Sequence, residues 1–185
     1  MQKEAEVYGI VYKEKEPYEV LSTNWLTYGE VLKLKMVDSM VEVYYNSGQF
    51  WHTLEYLVPF EKDAFTFYEK LGSFYEKKGY SEISHSRMRR YEILLEYLQE
   101  ETDVPTEVAA QKMLYDLYLR EKLKKRPVFA PDQKQYETAV WNYRKNNQVS
   151  KTAHIEVFEN GTVILFDYEK RDPLSNNAYT EVVQL

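Results

Sequence analysis

The stretch that decides the fold is residues 17–57, PYEVLSTNWLTYGEVLKLKMVDSMVEVYYNSGQFWHTLEYL. Within it, Thr27-Tyr28-Gly29-Glu30 fits a capping box, in which the threonine hydroxyl and the glutamate carboxylate each accept a hydrogen bond from a backbone amide at a helix start. Apolar residues then recur three and four positions apart, at Val31, Leu34, Val37, Val41 and Tyr44. The pattern predicts a helix that begins after Thr27 and ends near Asn46-Ser47-Gly48, with Gly48 in the left-handed conformation.

The same spacing of apolar residues predicts four more helices further along the chain. Three of these helices are expected over residues 49–58, 62–78 and 84–100. The last one is expected to begin at Thr102 or Asp103 and to end at Pro127, with Pro105 in its first turn, where the missing N–H costs little. These helices predict a helical domain over residues 27–126.

The residues before this domain, 1–26, carry no strong helical period, so we expect an extended lead-in. Residues 7–12 favour a short strand. Residues 2–7 resemble the end of a helix that begins further upstream.

The pattern changes after Pro127. Residues 128–151 are expected to be irregular or briefly helical, whereas two β-rich runs, 154–159 and 162–168, flank Asn160-Gly161 and predict a hairpin with a type I′ turn. An isolated two-stranded hairpin is only marginally stable in water, so a third strand is expected over residues 179–185. The sequence therefore predicts a mainly α fold, a bundle of about five helices, with a small antiparallel β-hairpin or three-stranded sheet in an appendage over residues 127–185.

Composition excludes several classes of function. The chain has no cysteine, which excludes disulfides, thiolate-bound zinc, an iron–sulfur cluster on this chain and a cysteine nucleophile. The net charge of −6 opposes nucleic-acid binding, which needs a dense basic surface. No run approaches the roughly 20 apolar residues of a membrane span, and no secretory signal is present, so we expect a cytoplasmic protein.

No catalytic, cofactor-binding or metal-binding residue is predicted. The three histidines, His52, His85 and His154, have no metal-ligand spacing to a second histidine. His52 and Glu55 are three residues apart, which permits a ligand pair, but one pair favours a packing or surface role. No glycine-rich phosphate loop or nucleophile elbow is present.

Two sets of residues are candidates for interaction with a partner. Adjacent aromatic residues at helical spacing place one ring away from the core, so a docking surface and a core role both stay open for the first set. Its members are Tyr44, Tyr45, Asn46, Phe50 and Trp51. The second set is basic and suits a phosphate or a carboxylate-rich partner, unless it pairs with the chain's own acids. Its members are Arg87, Arg89, Arg90, Lys124, Lys125 and Arg126.

Several short motifs resemble an uncharacterised domain family. The resemblance rests on Tyr8-Gly9-Ile10, Pro17-Tyr18-Glu19-Val20-Leu21, Tyr44-Tyr45-Asn46-Ser47 and Tyr56-Leu57, and it extends from the start of the chain to about Leu98. The family forms the C-terminal part of proteins that have an N-terminal cobalamin-binding domain and a central radical S-adenosylmethionine barrel. These proteins are often labelled iron–sulfur oxidoreductases or anaerobic magnesium-protoporphyrin monomethyl ester cyclases.

The resemblance implies a non-catalytic accessory domain that docks on the barrel of the same polypeptide and covers it. The iron–sulfur cluster, S-adenosylmethionine and cobalamin would then belong to upstream domains, because this chain has no cysteine and no Asp-x-His-x-x-Gly pattern. A homodimer also stays open. Two alternatives are a free-standing domain that binds an acidic or anionic partner, and a self-contained enzyme whose site is assembled from dispersed residues around a deep polar pocket.

Overall fold

The fold is mainly α, as the sequence predicts. A computed structural model describes residues 2–185, with side chains from Glu4 onwards, and contains seven α-helices in that range. The helices are α1 (Gln2–Tyr8), α2 (Tyr28–Met40), α3 (Trp51–Leu57), α4 (Ala64–Lys77), α5 (Arg87–Glu101), α6 (Thr106–Arg120) and α7 (Glu137–Asn146). Within residues 2–185, no helix combines the length and apolar character needed to cross a membrane.

Two small antiparallel sheets accompany the helices. The first pairs β1 (Val11–Tyr12) with β2 (Val20–Ser22), and the second has the order β3 (His154–Val157), β4 (Val163–Arg171), β5 (Ala178–Val183). The expected third strand of the C-terminal sheet is therefore confirmed.

The capping box at Thr27 is confirmed. The amide of Thr27 donates to Glu30 Oε2 at 2.7 Å, and the amide of Glu30 donates to Thr27 Oγ1 at 3.3 Å. After α2 the helix continues as a π-helix, Val41–Asn46, and the chain then turns at Gly48, whose φ of +63° is the expected left-handed conformation.

The lead-in contains more structure than an extended chain. Helix α1 extends to Tyr8, so the strand expected over residues 7–12 is limited to Val11–Tyr12, which pairs with β2. The side chain of Asn24 donates to the carbonyl of Val7, and the amide of Asn24 donates to the carbonyl of Tyr8, which holds the end of α1 against the chain that enters α2. The expected upstream beginning of α1 involves Met1, which lies outside the described residues.

Helix α6 ends at Arg120, and the expectation that it continues to Pro127 is wrong. Strand β4 supplies donors for the last carbonyls of the helix: Tyr168 Oη donates to the carbonyls of Tyr118 and Glu121, and Arg171 donates to that of Arg120. These groups end the helix through contacts about fifty residues away in the sequence.

The turn between β3 and β4 is not type I′. A type I′ turn needs positive φ at both Asn160 and Gly161, and only Gly161, at +82°, has it. The amide of Gly161 donates to the carbonyl of Phe158 at 2.8 Å, so Glu159 and Asn160 form the corner and Gly161 follows it. The expectation that Ile155 and Val157 share a face is confirmed, because both pack beneath Tyr136 and Val140 around α7.

A close contact between α2 and α4 leads to a prediction. Gly72 is buried on α4, and a Cβ placed there would lie 2.7 Å from Cγ of Met36 on α2. Gly72→Val should therefore lower the free energy of unfolding by about 2 kcal/mol through overpacking. Gly29→Val is the control, because nothing lies within 4 Å of that position. Chemical denaturation that gives equal losses for both variants would contradict the contact.

A buried charged network joins the sheet to the residues after α6. Glu156 is fully buried, and it accepts two hydrogen bonds from Arg126, at 2.7 and 2.8 Å, and one from His154 Nε2 at 2.9 Å. The His154 ring stacks on Tyr118 at 3.8 Å. Burial lowers the pKa of His154 below 6.5, against the opposing effect of Glu156. Burial alone would raise the pKa of Glu156, but its hydrogen bonds from His154 and Arg126 outweigh burial and lower it.

This network predicts acid sensitivity. A histidine whose pKa is lowered on folding contributes stability above 6.5, and this contribution is lost as pH falls from 6.5 towards the folded pKa. A glutamate with a lowered pKa adds a further loss at lower pH. The free energy of unfolding should therefore fall between about pH 7 and pH 5.5, and His154→Gln should remove part of that slope. Urea denaturation across this range checks it, and identical slopes would contradict it.

Candidate functional site

An apolar groove lies between α2, α3 and α4. It has a volume of about 540 Å³ and is lined mostly by aliphatic and aromatic side chains, among them Val37, Val41, Tyr45, Trp51, Leu54 and Phe65. Among the described residues, Glu55 is the one charged side chain in its lining. An open groove of this composition is typical of a surface that contacts another protein.

Three aromatic rings border the groove and face solvent. Trp51 is 59% exposed, Tyr45 53% and Phe65 44%, and the ring centroids of Tyr45 and Trp51 lie 6.4 Å apart. We call this set, Tyr45, Trp51 and Phe65, the aromatic rim. Phe65 lies in the first turn of α4.

Two of the predicted docking residues lie in the core. Tyr44 and Phe50 have no exposed surface, and their ring centroids are 4.7 Å apart. The Tyr44 hydroxyl hydrogen-bonds to that of Tyr75 at 2.7 Å. Each adjacent pair thus places one ring inside and the next in the aromatic rim. Asn46 is exposed, and its side chain donates to Glu42.

Helix α3, which carries Trp51, is fixed at its N-terminus by a carboxylate from α6. Asp116 is 2% exposed and accepts four hydrogen bonds from two consecutive residues of α3. Oδ1 accepts from the amide and Nδ1 of His52 at 3.2 and 2.7 Å, and Oδ2 accepts from the amide and hydroxyl of Thr53 at 2.8 and 2.7 Å. His52 therefore pairs with Asp116, and not with Glu55 as its spacing permitted.

Half of the candidate basic residues pair with acids of the same chain. Arg87 contacts Glu121 at 2.6 Å, Arg89 contacts Glu92 and Glu96 at 3.3 Å, and Arg126 binds the buried Glu156. For Arg90, Lys124 and Lys125, no ion-pair partner is found among the described residues. Lys124 and Lys125 are exposed beyond the end of α6, and Arg90 is half-buried on α5.

A family model described as "Protein of unknown function (DUF4080)" matches residues 6–166. The chain belongs to this family. The match extends well past Leu98, through α6 and α7 and into β4, so it covers the groove, strand β3 and the first part of β4. The comparisons with curated proteins and with solved structures gave no match.

Among the residues that the structure describes, no group of three or more histidine, cysteine, aspartate or glutamate side chains is placed to hold a metal ion. His85 Nε2 donates to the carbonyl of Tyr80 at 2.9 Å, and His154 belongs to the Glu156 network, so both have structural partners.

Sequence analysis missed Asp116, although a signal was present. Asp116 lies within an otherwise apolar run of the DUF4080 domain, Met113 to Leu119, at a position that faces the core. An acid in such a place needs buried donors, because an unpaired carboxylate in the core is costly. The partners lie on α3, 63 residues away for Thr53, and no local pattern identifies them.

The Asp116 contact gives a prediction for stability. Asp116→Ala leaves the amides of His52 and Thr53 and the Thr53 hydroxyl without their acceptor, so the free energy of unfolding should fall by on the order of 3 kcal/mol. Asp103→Ala is the matched control, because Asp103 is exposed before α6, and it should change stability by less than about 0.5 kcal/mol. Similar denaturation midpoints for the two variants would contradict the anchoring role of Asp116.

Proposed function

We propose that this DUF4080 domain is the non-catalytic C-terminal accessory domain of a cobalamin-dependent radical S-adenosylmethionine enzyme, and that it docks on the catalytic barrel and covers it. The observation that carries the proposal is the apolar groove with its aromatic rim. Three large rings exposed around one groove favour burial against another surface.

The location of the groove supports this proposal. Tyr45 belongs to the Tyr44-Tyr45-Asn46-Ser47 motif on which the resemblance rests, and Trp51 follows it within the same matched region. Glu55 is the charged lining residue, so the complementary surface should be apolar and carry one basic side chain.

The domain's contribution would be exclusion of water. Closing a reaction site with an added domain expels water and limits side reactions, which a radical intermediate requires. Cysteine thiolates ligate the iron–sulfur cluster of such enzymes, and this chain has no cysteine, so its residues do not fit that group. We therefore assign the cluster, S-adenosylmethionine and cobalamin to upstream domains and no chemical step to this chain.

The alternative, a free-standing domain that binds an acidic partner, has weaker support. Three of its six candidate residues already bind carboxylates of the same chain, which leaves Lys124 and Lys125 as its exposed cations. Two adjacent lysines give little affinity for an anionic partner on their own.

Two exposed tryptophans make a matched test of docking. Trp51 in the groove is 59% exposed and Trp141 on α7 is 60% exposed, so Trp51→Ala and Trp141→Ala remove equal exposed surface at different places. This chain would be co-expressed with the proposed upstream region of its natural protein, which would be a separate polypeptide with an affinity tag. The measurement is the amount of this chain that the tagged upstream region retains. Trp51→Ala should weaken retention about 10-fold or more, and Trp141→Ala less than about twofold.

Two results would count against the docking proposal. One is that the wild-type chain is not retained by the upstream region. The other is that both tryptophan variants lose retention equally. Retention that depends instead on Lys124 and Lys125 would favour the acidic-partner alternative.

A further inference from the structure

A second cavity lies beside α3, where His52 lines it and the preceding residue, Trp51, lines the groove. This cleft separates α6 from the β3–β4 turn and has a volume of about 500 Å³. Helix α6 contributes one face, Val108, Gln111, Lys112 and Tyr115, at spacings of three, four and seven residues. The sheet contributes Phe158 and Ile164, and His52 lies in the lining beside Tyr115.

His52 is held in one orientation in this cleft. A carboxylate only accepts hydrogen bonds, so the 2.7 Å contact with Asp116 Oδ1 requires that His52 Nδ1 carries the proton. The ring also packs edge-on against Tyr115, with centroids 4.7 Å apart at 84°. Its side chain is 34% exposed, and no partner for Nε2 is found among the described residues.

Proteins orient a histidine through a buried carboxylate when the other ring nitrogen serves a ligand or a metal. A metal ion needs further ligands, and the described residues provide no cluster of three metal-ligating side chains. An organic ligand that packs beside the ring therefore suits this geometry better than a metal ion does.

The other polar groups of the cleft define the charge of that ligand. Lys112 is exposed in the lining, and no ion-pair partner is found for it among the described residues. Gln111 Oε1 accepts from the amide of Glu159 at 3.3 Å, which leaves the Gln111 NH₂ group as a donor. A lysine ammonium and an amide NH₂ together favour an anion.

Two acids lie near these donors, and neither competes for them inside the cleft. Asp116 lies beneath His52 with both oxygens already accepting hydrogen bonds from α3. Glu159 is an exposed residue of the β3–β4 turn that lines the cleft, and no ion pair joins it to Lys112 among the described residues.

The apolar lining defines the body of the ligand. The ring centroids of Tyr115 and Phe158 lie 6.1 Å apart, and Val108 and Ile164 also line the cleft. Aromatic and aliphatic walls with a few convergent polar groups are typical of a small-molecule site.

We propose that this cleft is a binding site for a small aromatic carboxylate, with the carboxylate at Lys112 and Gln111 and the ring against Tyr115, Phe158 and the imidazole of His52. His52 is a binding residue here, and Asp116 is the residue that positions it. The site lies on the chain itself and does not depend on the docking proposal.

Benzoate is the probe that tests this site, by NMR titration of the chain alone. Benzoate should bind saturably and shift the His52 ring and Lys112 signals. Benzamide has the ring without the charge and acetate has the charge without the ring, so each should bind at least about 10-fold more weakly. Equal affinity for benzoate and benzamide, or no saturation by benzoate up to tens of millimolar, would overturn the proposal.

Two lysine variants locate the binding. Lys112→Gln should weaken benzoate binding about 5-fold or more, and it leaves the fold intact because Lys112 is exposed. Lys134→Gln is the matched control, since Lys134 is exposed and lies outside the cleft lining, and it should bind as the wild type does. His52→Ala should abolish binding, but it also removes a hydrogen bond to Asp116 and so affects the fold. The comparison of the two lysine variants is therefore the test of the site. Unchanged affinity in Lys112→Gln would overturn the site.

Discussion

The carboxylate of Asp116 holds the short helix on which both candidate surfaces depend. Helix α3 has seven residues, too few to be stable alone, so its position is set by its anchor and by the core residues beneath it. Trp51 and His52 are consecutive, and they face the groove and the cleft respectively. One buried acid on α6 thus sets the direction of Trp51 and of His52. A rigid α3 keeps both surfaces formed before any partner or ligand arrives, which reduces the cost of binding.

Local signals in the sequence predicted the local features well. The capping box at Thr27, the left-handed Gly48 and the three-stranded sheet each follow from residues a few positions apart, and the structure confirms each of them. Features fixed by distant contacts were not predictable in this way. The end of α6 depends on Tyr168 and Arg171 in β4, and the hairpin adopts a longer turn than Asn160-Gly161 alone favours.

The candidate sites show the same division between local and distant information. Adjacent aromatic pairs indicated that one ring of each pair leaves the core, but not which one. Tyr44 packs against Tyr75 of α4 and Phe50 packs against Tyr91 of α5, so Tyr45 and Trp51 are the rings that stay exposed. Charge alone did not distinguish free from paired arginines, because Arg126 finds Glu156 thirty residues away. Asp116 needed the fold to reveal its role, since its partners lie on another helix.

Solvent exposure of the aromatic rim in the natural protein tests the docking claim most directly. Hydroxyl-radical footprinting would compare the oxidation of Trp51, Tyr45 and Phe65 in this chain alone and in the presence of the upstream catalytic region that we propose, with the equally exposed Trp141 as internal reference. The account predicts that the three groove residues lose most of their reactivity when the upstream region is present, while Trp141 keeps its own. Unchanged oxidation of Trp51 relative to Trp141 would contradict it.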